Sequence, residues 1–200
     1  MDADAVEIRV LGCLIEKQRT TPDTYPLTLN ALRLACNQAT NRDPVVDYDE
    51  ETIREALQRL WRKEWARLAS GQGSRAVKYR QLVQDTLGLA DGEISVLCVL
   101  MLRGPQTPGE LKQRTERLHP FAGLAEVEET LEHLIERDLV VRLDRRPGQK
   151  EERYAQLLGG EFDDSGYAEV PRPVLAHDPL EERVAALEAE VAALKAELGL

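Results

Sequence analysis

A segment that opens at Glu7 recurs in outline at Glu93, so the chain is expected to fold as one module written twice. Glu7-Ile8-Arg9-Val10-Leu11 matches Glu93-Ile94-Ser95-Val96-Leu97, and Thr21-Pro22 matches Thr107-Pro108, both at an offset of 86. Further along, Leu57, Leu60, Trp61 and Trp65 fall opposite Leu131, Leu134, Ile135 and Leu139 at an offset of 74, and Tyr79 falls opposite Tyr154 at 75. The shrinking offset means that the first copy carries about twelve extra residues, which must lie around Tyr25 to Asp49. That insertion is the first place to look for specialised function.

A chain of 200 residues has room for two small units, and the repeat divides it into a first module at 1–84 and a second at 85–158. A Gly-, Pro- and acid-rich linker is expected at 159–179 and a helix at 180–200. Nothing resembles a signal peptide and no apolar run approaches the ~20 residues that span a bilayer, which predicts a cytoplasmic protein with no membrane partner. Cys13, Cys36 and Cys98 are odd in number and lack a C-x-x-C pair, so neither a disulfide framework nor a metal site is expected.

The net charge of −10 argues at first against a nucleic-acid partner. Its distribution along the chain points the other way for the first copy. Residues 1–82 carry a net +1, residues 83–158 a net −4 and residues 159–200 a net −7. Within the first copy, Arg54 to Arg80 holds eight basic side chains against Glu55 and Glu64 alone.

Each copy begins with an apolar helix, marked by Val6, Val10, Leu11, Leu14 and Ile15 and by Ile94, Leu97, Cys98 and Met101. A second helix follows: Thr107-Pro108-Gly109-Glu110 writes its start in the second copy as a capping box with proline at the first position. In the first copy the equivalent helix is expected after Tyr25-Pro26, running through Leu27, Asn30, Ala31, Leu34 and Ala35. A third helix is predicted over roughly Asp49 to Glu64, with Ile53, Leu57, Leu60 and Trp61 on its apolar face, and its counterpart from about Leu124 to Arg137. Each then has two short β-prone runs about a Gly-containing turn, which reads as a hairpin. Three helices and a hairpin make the winged-helix variant of helix-turn-helix, so the expected fold class is mainly α with small β-hairpins (α+β), as two tandem winged-helix domains.

Pro26-Leu27-Thr28-Leu29-Asn30-Ala31-Leu32, Ala35-Cys36-Asn37-Gln38 and Asn41-Arg42-Asp43-Pro44-Val45 resemble the signature of the bacterial YceH family, and Gly73 to Tyr79 resembles its wing. The resemblance covers about Glu7 to Leu158. It implies a tandem winged-helix fold and supplies no activity, cofactor or ligand.

If the first module binds double-stranded DNA, its third helix enters the major groove and its wing engages the backbone. The candidate residues are Arg54, Gln58, Arg59 and Arg62 on the helix and Arg75, Lys78 and Arg80 on the wing. Asp47, Asp49, Glu50 and Glu51 oppose this at the helix start, where they equally suit the helix dipole. The second module carries Glu126, Glu128, Glu129, Glu132 and Glu136 on its third helix, which points to a structural or protein-facing role; its basic wing (Arg142, Arg145, Arg146, Lys150, Arg153) leaves backbone contact open. The polar block of Asn30, Asn37, Gln38, Asn41, Arg42 and Asp43 has two readings, a base-reading loop or an internal clamp, and the clamp is preferred.

His119, His133 and His177 share no motif, and no phosphate-binding glycine loop or nucleophile elbow is present, so a non-enzymatic protein without a cofactor is expected. Leu180, Val184, Leu187, Val191, Leu194 and Leu198 alternate spacings of four and three, with Val at a and Leu at d, which predicts a parallel coiled-coil homodimer. Packing of that stripe on its own protomer is the alternative. These features favour a DNA-binding regulator. The rival is a protein-interaction scaffold, similar in architecture to ScpB-type condensin subunits, with a partner held by the second module.

Overall fold

Repeating a pattern of three helices and a hairpin leaves the first helix of each copy buried against its counterpart. In a computed structural model, residues 2–69, 76–145 and 151–160 are described. The order is α1 (Ala5–Thr20), a 3-10 turn (Pro22–Thr24), β1 (Leu27–Thr28), α2 (Leu29–Cys36), α3 (Glu50–Arg62), β2 (Ala66–Leu68), β3 (Lys78–Gln81) and α4 (Val83–Leu87). The second copy supplies α5 (Asp91–Arg103), α6 (Pro108–Thr115), α7 (Leu124–Glu136), β4 (Val140–Leu143) and β5 (Arg153–Gln156). This is a mainly helical α+β structure with small antiparallel sheets, one ordered β1-β3-β2 and the other β4-β5.

α1 and α5 are apolar around most of their circumference, so each must be enclosed on all sides. Residues 7–15 of α1 and 93–102 of α5 are all buried, and the two helices pack on each other within the unit Met1–Phe162. Equivalent positions meet where they cross: the Cys98 thiol donates to the Gly12 carbonyl at 3.4 Å, across the repeat offset of 86. Gly12 is required by that approach, since a Cβ there would sit 2.9 Å from Leu102 Cδ2 and 3.2 Å from Met101 Cβ. Cys13, Cys36 and Cys98 are buried free thiols.

The repeat extends to polar detail. Glu7 closes a capping box with Asp4 at the start of α1 and receives Lys63 Nζ at 2.5 Å from the end of α3. Glu93 accepts from the Ala90 backbone N–H at 2.8 Å and meets Arg137 at 3.3 Å from the end of α7. Lys63 and Arg137 are equivalents at offset 74, as are Glu64 and Asp138, which end both third helices in the left-handed region at φ 60° and 54°. The Glu that opens each copy is thus the buried strut between first and third helices.

The inserted residues are divided about α2. Thr28, whose hydroxyl accepts from the Ala31 N–H, takes the capping role of Thr107 at an offset of 79, so the sequence match of Thr21-Pro22 to Thr107-Pro108 does not mark the helix start. α2 consequently begins at Leu29, and Leu27 belongs to β1 against Tyr79. The lone bridge Gln106↔Tyr154 stands in the second copy where β1 stands in the first.

Ile53, Leu57 and Leu60 are buried as their spacing predicts, whereas Trp61 is 66% exposed. It lies about 100° around the helix from Leu60, and the sheet does not cover it. Leu34 is exposed as well. The hairpin tips, including Arg75, Arg146 and Lys150, lie outside the described residues, as do His177 and the heptad positions Leu180 to Leu198.

Adding one methyl at the helix crossing by Gly12→Ala is expected to lower unfolding free energy by about 1–3 kcal/mol, despite alanine's better helix propensity. Urea denaturation of the variant checks this.

Candidate nucleic-acid interface

α3 starts at Asp49, whose carboxylate accepts from the Thr52 N–H at 2.8 Å; that bond holds the Asp49 pKa below the usual carboxylate range. Glu50 and Glu51 follow in the first turn, where the dipole favours acids. The acids at this helix end therefore have a structural explanation.

Positions four apart form a stripe along the exposed side of α3, giving Arg54, Gln58 and Arg62, all exposed. Beside it, α3 and the sheet enclose a groove of about 370 Å³ floored by Leu57, Trp61, Ala66, Leu68 and Tyr79, with Arg54, Gln58 and Arg67 at its rim. Strand alternation sets Lys78 and Arg80 on the sheet face opposite Tyr79 and Gln81, whose Nε2 reaches Gln18 of α1 at 2.7 Å. Arg67 pairs across the ladder with Arg80, bringing like charges together on that outer face. Arg59 is turned elsewhere: Nη2 lies 2.9 Å from Asp4 Oδ2 and Nε lies 3.6 Å from Glu7 Oε2. The structure thus joins Arg54 and Gln58 to Arg67, a residue missed in the sequence, and separates Arg59 from them. Its alternation with buried Ala66 in a short strand was the available signal.

Arg54, Arg62, Arg67, Lys78 and Arg80 have no carboxylate in ion-pair reach among the described residues, unlike Arg59, Lys63, Arg137 and Arg142. In the second copy, Arg142 pairs with Glu132 and lies 3.6 Å from Glu152, and Arg145 lies 3.7 Å from Glu152. Arg142 also stacks over the Tyr154 ring at 5.6 Å.

Within the polar block Arg42 is buried, Asn37 and Gln38 are half-buried, and Asn30, Asn41 and Asp43 are exposed. The Arg42 side chain is fully buried, donating to both oxygens of Glu16 (3.1 and 2.6 Å), to the Ala35 carbonyl at the end of α2 (3.1 and 3.0 Å), to Asn41 O (2.9 Å) and to Gln38 Oε1 (3.0 Å). Asn37 brackets the Tyr48 backbone, donating to its carbonyl at 2.8 Å and accepting from its N–H at 2.9 Å. Arg9, unmarked by any sequence motif, donates to the carbonyls of Cys36 and Pro44 at 3.1 and 2.6 Å. Exposed Asn30 accepts from half-buried Arg33, and Asp43 is exposed while its N–H donates to Leu102 O. These bonds tie the insertion to α1 and to the end of α2.

Burial opposes the charge on Glu16, but the Arg42 hydrogen bonds, the Arg42 charge and Lys17 outweigh it and leave its pKa lowered. No group of three or more His, Cys, Asp or Glu that could hold a metal ion is found among the described residues. No helix among them is long and apolar enough to cross a membrane. His119 packs edge-on against Phe121, with ring centroids 4.7 Å apart, and His133 is exposed.

The family model described as "Protein of unknown function, DUF480" matches residues 3–149, and the chain belongs to that family. It is 52% identical to a UPF0502 protein of Pelobacter propionicus over 202 residues, covering 97% of this chain and 90% of the relative. It is 45% identical to the UPF0502 protein YceH of Salmonella paratyphi B over 201 residues, covering 97% and 93%. A UPF0502 protein of Pectobacterium atrosepticum is 46% identical over 202 residues, covering 98% and 95%.

Because the Glu16 pKa is depressed on folding, its contribution to stability is present above its unfolded value near 4.5 and is lost as pH falls through the lower folded value. Glu16→Gln is expected to reduce overall stability at neutral pH and to flatten the acid limb. Urea midpoints measured through the acid range for both proteins check it.

Proposed function

We propose that each copy is a winged-helix module and that the first binds duplex DNA, in a cytoplasmic, non-enzymatic, homodimeric regulator. The observation that carries the reading is that Arg54, Arg62, Arg67, Lys78 and Arg80, on one helix and its adjoining sheet, meet no carboxylate among the described residues. Cations left uncompensated there, with Arg67 directly opposite Arg80, suit a partner that brings the anions. α3 would enter the major groove, with Gln58 and Arg54 toward base edges, while the sheet cations follow phosphates. The second module would serve as spacer or partner surface, since its wing cations already meet Glu132 and Glu152.

A specific observation also favours the scaffold reading. The groove beside α3 is largely apolar and leaves Trp61 and Leu68 exposed, features that suit an amphipathic segment of a partner chain.

Fluorescence anisotropy with pooled duplex fragments across a salt series separates the two. Under the DNA reading the log-log slope is about −4, and the Arg54→Ala/Arg62→Ala double variant makes it shallower by about 2. Absence of binding at low salt would favour the scaffold, for which Trp61→Ala is the variant that should lose the partner. Deleting residues 180–200 is expected to convert a dimer to a monomer in sedimentation; a persisting dimer would place the interface within Met1–Phe162.

A further inference from the structure

A second cavity, of about 240 Å³, lies where α1, α5 and α6 meet the inserted loop. At ~30 Å³ per water it holds the volume of about eight waters, below the usual size of a drug pocket. Its floor is apolar, formed by Val99, Leu102 and Leu118, and its rim is cationic, formed by Arg103, Arg114 and Arg117. The lining includes one carboxylate, Glu16, and Arg42 and Lys17 already occupy its oxygens. Arg114 pairs outside the cavity with Glu110 at 3.2 Å. Arg117, one turn further along the chain, is exposed and meets no acidic group among the described residues.

Asn41 completes the rim from the insertion. Its backbone is in the left-handed region at φ 60°, its carbonyl accepts from buried Arg42, and its side-chain oxygen accepts from Arg103. The buried clamp therefore has an outward consequence: it fixes an amide beside three guanidinium groups. Nothing among the described residues of the second copy corresponds to this loop segment, so the cavity is made once rather than twice.

We propose that this cavity binds a small organic anion, a carboxylate or phosphate carried on a compact apolar body. Guanidinium groups recognise both anions through paired N–H donors, the Asn41 amide adds a further polar contact, and the apolar floor takes the remainder. The site is independent of the α3 surface. Because its walls come from both copies, occupancy would stiffen the α1–α5 junction.

The test is isothermal titration calorimetry of the full chain with two probes, inorganic phosphate and benzoate, against potassium chloride of matched ionic strength. Saturable binding of at least one probe is expected in the millimolar range, weakened about tenfold by Arg117→Gln and by Asn41→Gly. Arg117 is exposed and glycine accepts the left-handed backbone, so both variants should melt as the parent does without ligand. Failure of both probes to bind beyond the chloride control would overturn the proposal. So would binding that survives both substitutions at unchanged affinity.

Discussion

The crossing of α1 and α5 is the contact on which the rest of this unit depends. Residues 7–15 of α1 and 93–102 of α5 are all buried, and the two helices run through the one core that both copies share. Close approach is possible because Gly12 has no side chain and its counterpart Cys98 has a small one that donates to the Gly12 carbonyl. A larger side chain at either position would push the helices apart and disturb the core that both copies share, because interiors at crystalline density have little room to adjust.

From that centre the two copies diverge in how their charges are paired. Both retain the strut from a buried first-helix Glu to a basic residue at the end of the third helix, half-buried Lys63 in the first copy and exposed Arg137 in the second. On the outside they differ. Arg142 and Arg145 of the second copy lie against Glu132 and Glu152, while Arg54, Arg62, Arg67, Lys78 and Arg80 of the first meet no carboxylate among the described residues. The described residues of the two copies thus share a pattern of elements and differ in how their surface cations are paired.

The insertion gives the first copy a second distinction. Asn37, Arg42 and Arg9 direct their donors to backbone carbonyls and to Glu16, which ties the extra residues to α1 and the end of α2. Clamping the loop in this way carries Asn41 to the rim of a cavity lined by both copies.

Much of this was legible in the residues. The repeat, the order of helices and hairpins, and the capping box at Thr107 follow from periodicity and local hydrogen bonding, which act over a few residues and so leave a mark in the sequence. Family membership was legible as well, through the Asn-rich block. What the tertiary structure alone decided depends on groups far apart in the chain. Leu27, expected inside α2, instead pairs in β1 with Tyr79, and Thr28 caps the helix. Trp61 stays exposed and lines an open groove with Leu68 and Tyr79 of the sheet. Arg59 is held by Asp4 and Glu7, some fifty residues earlier, while Arg67 joins Arg54 instead. Sequence spacing determines which face of an element a side chain occupies; which charge or surface that face meets is fixed only by packing.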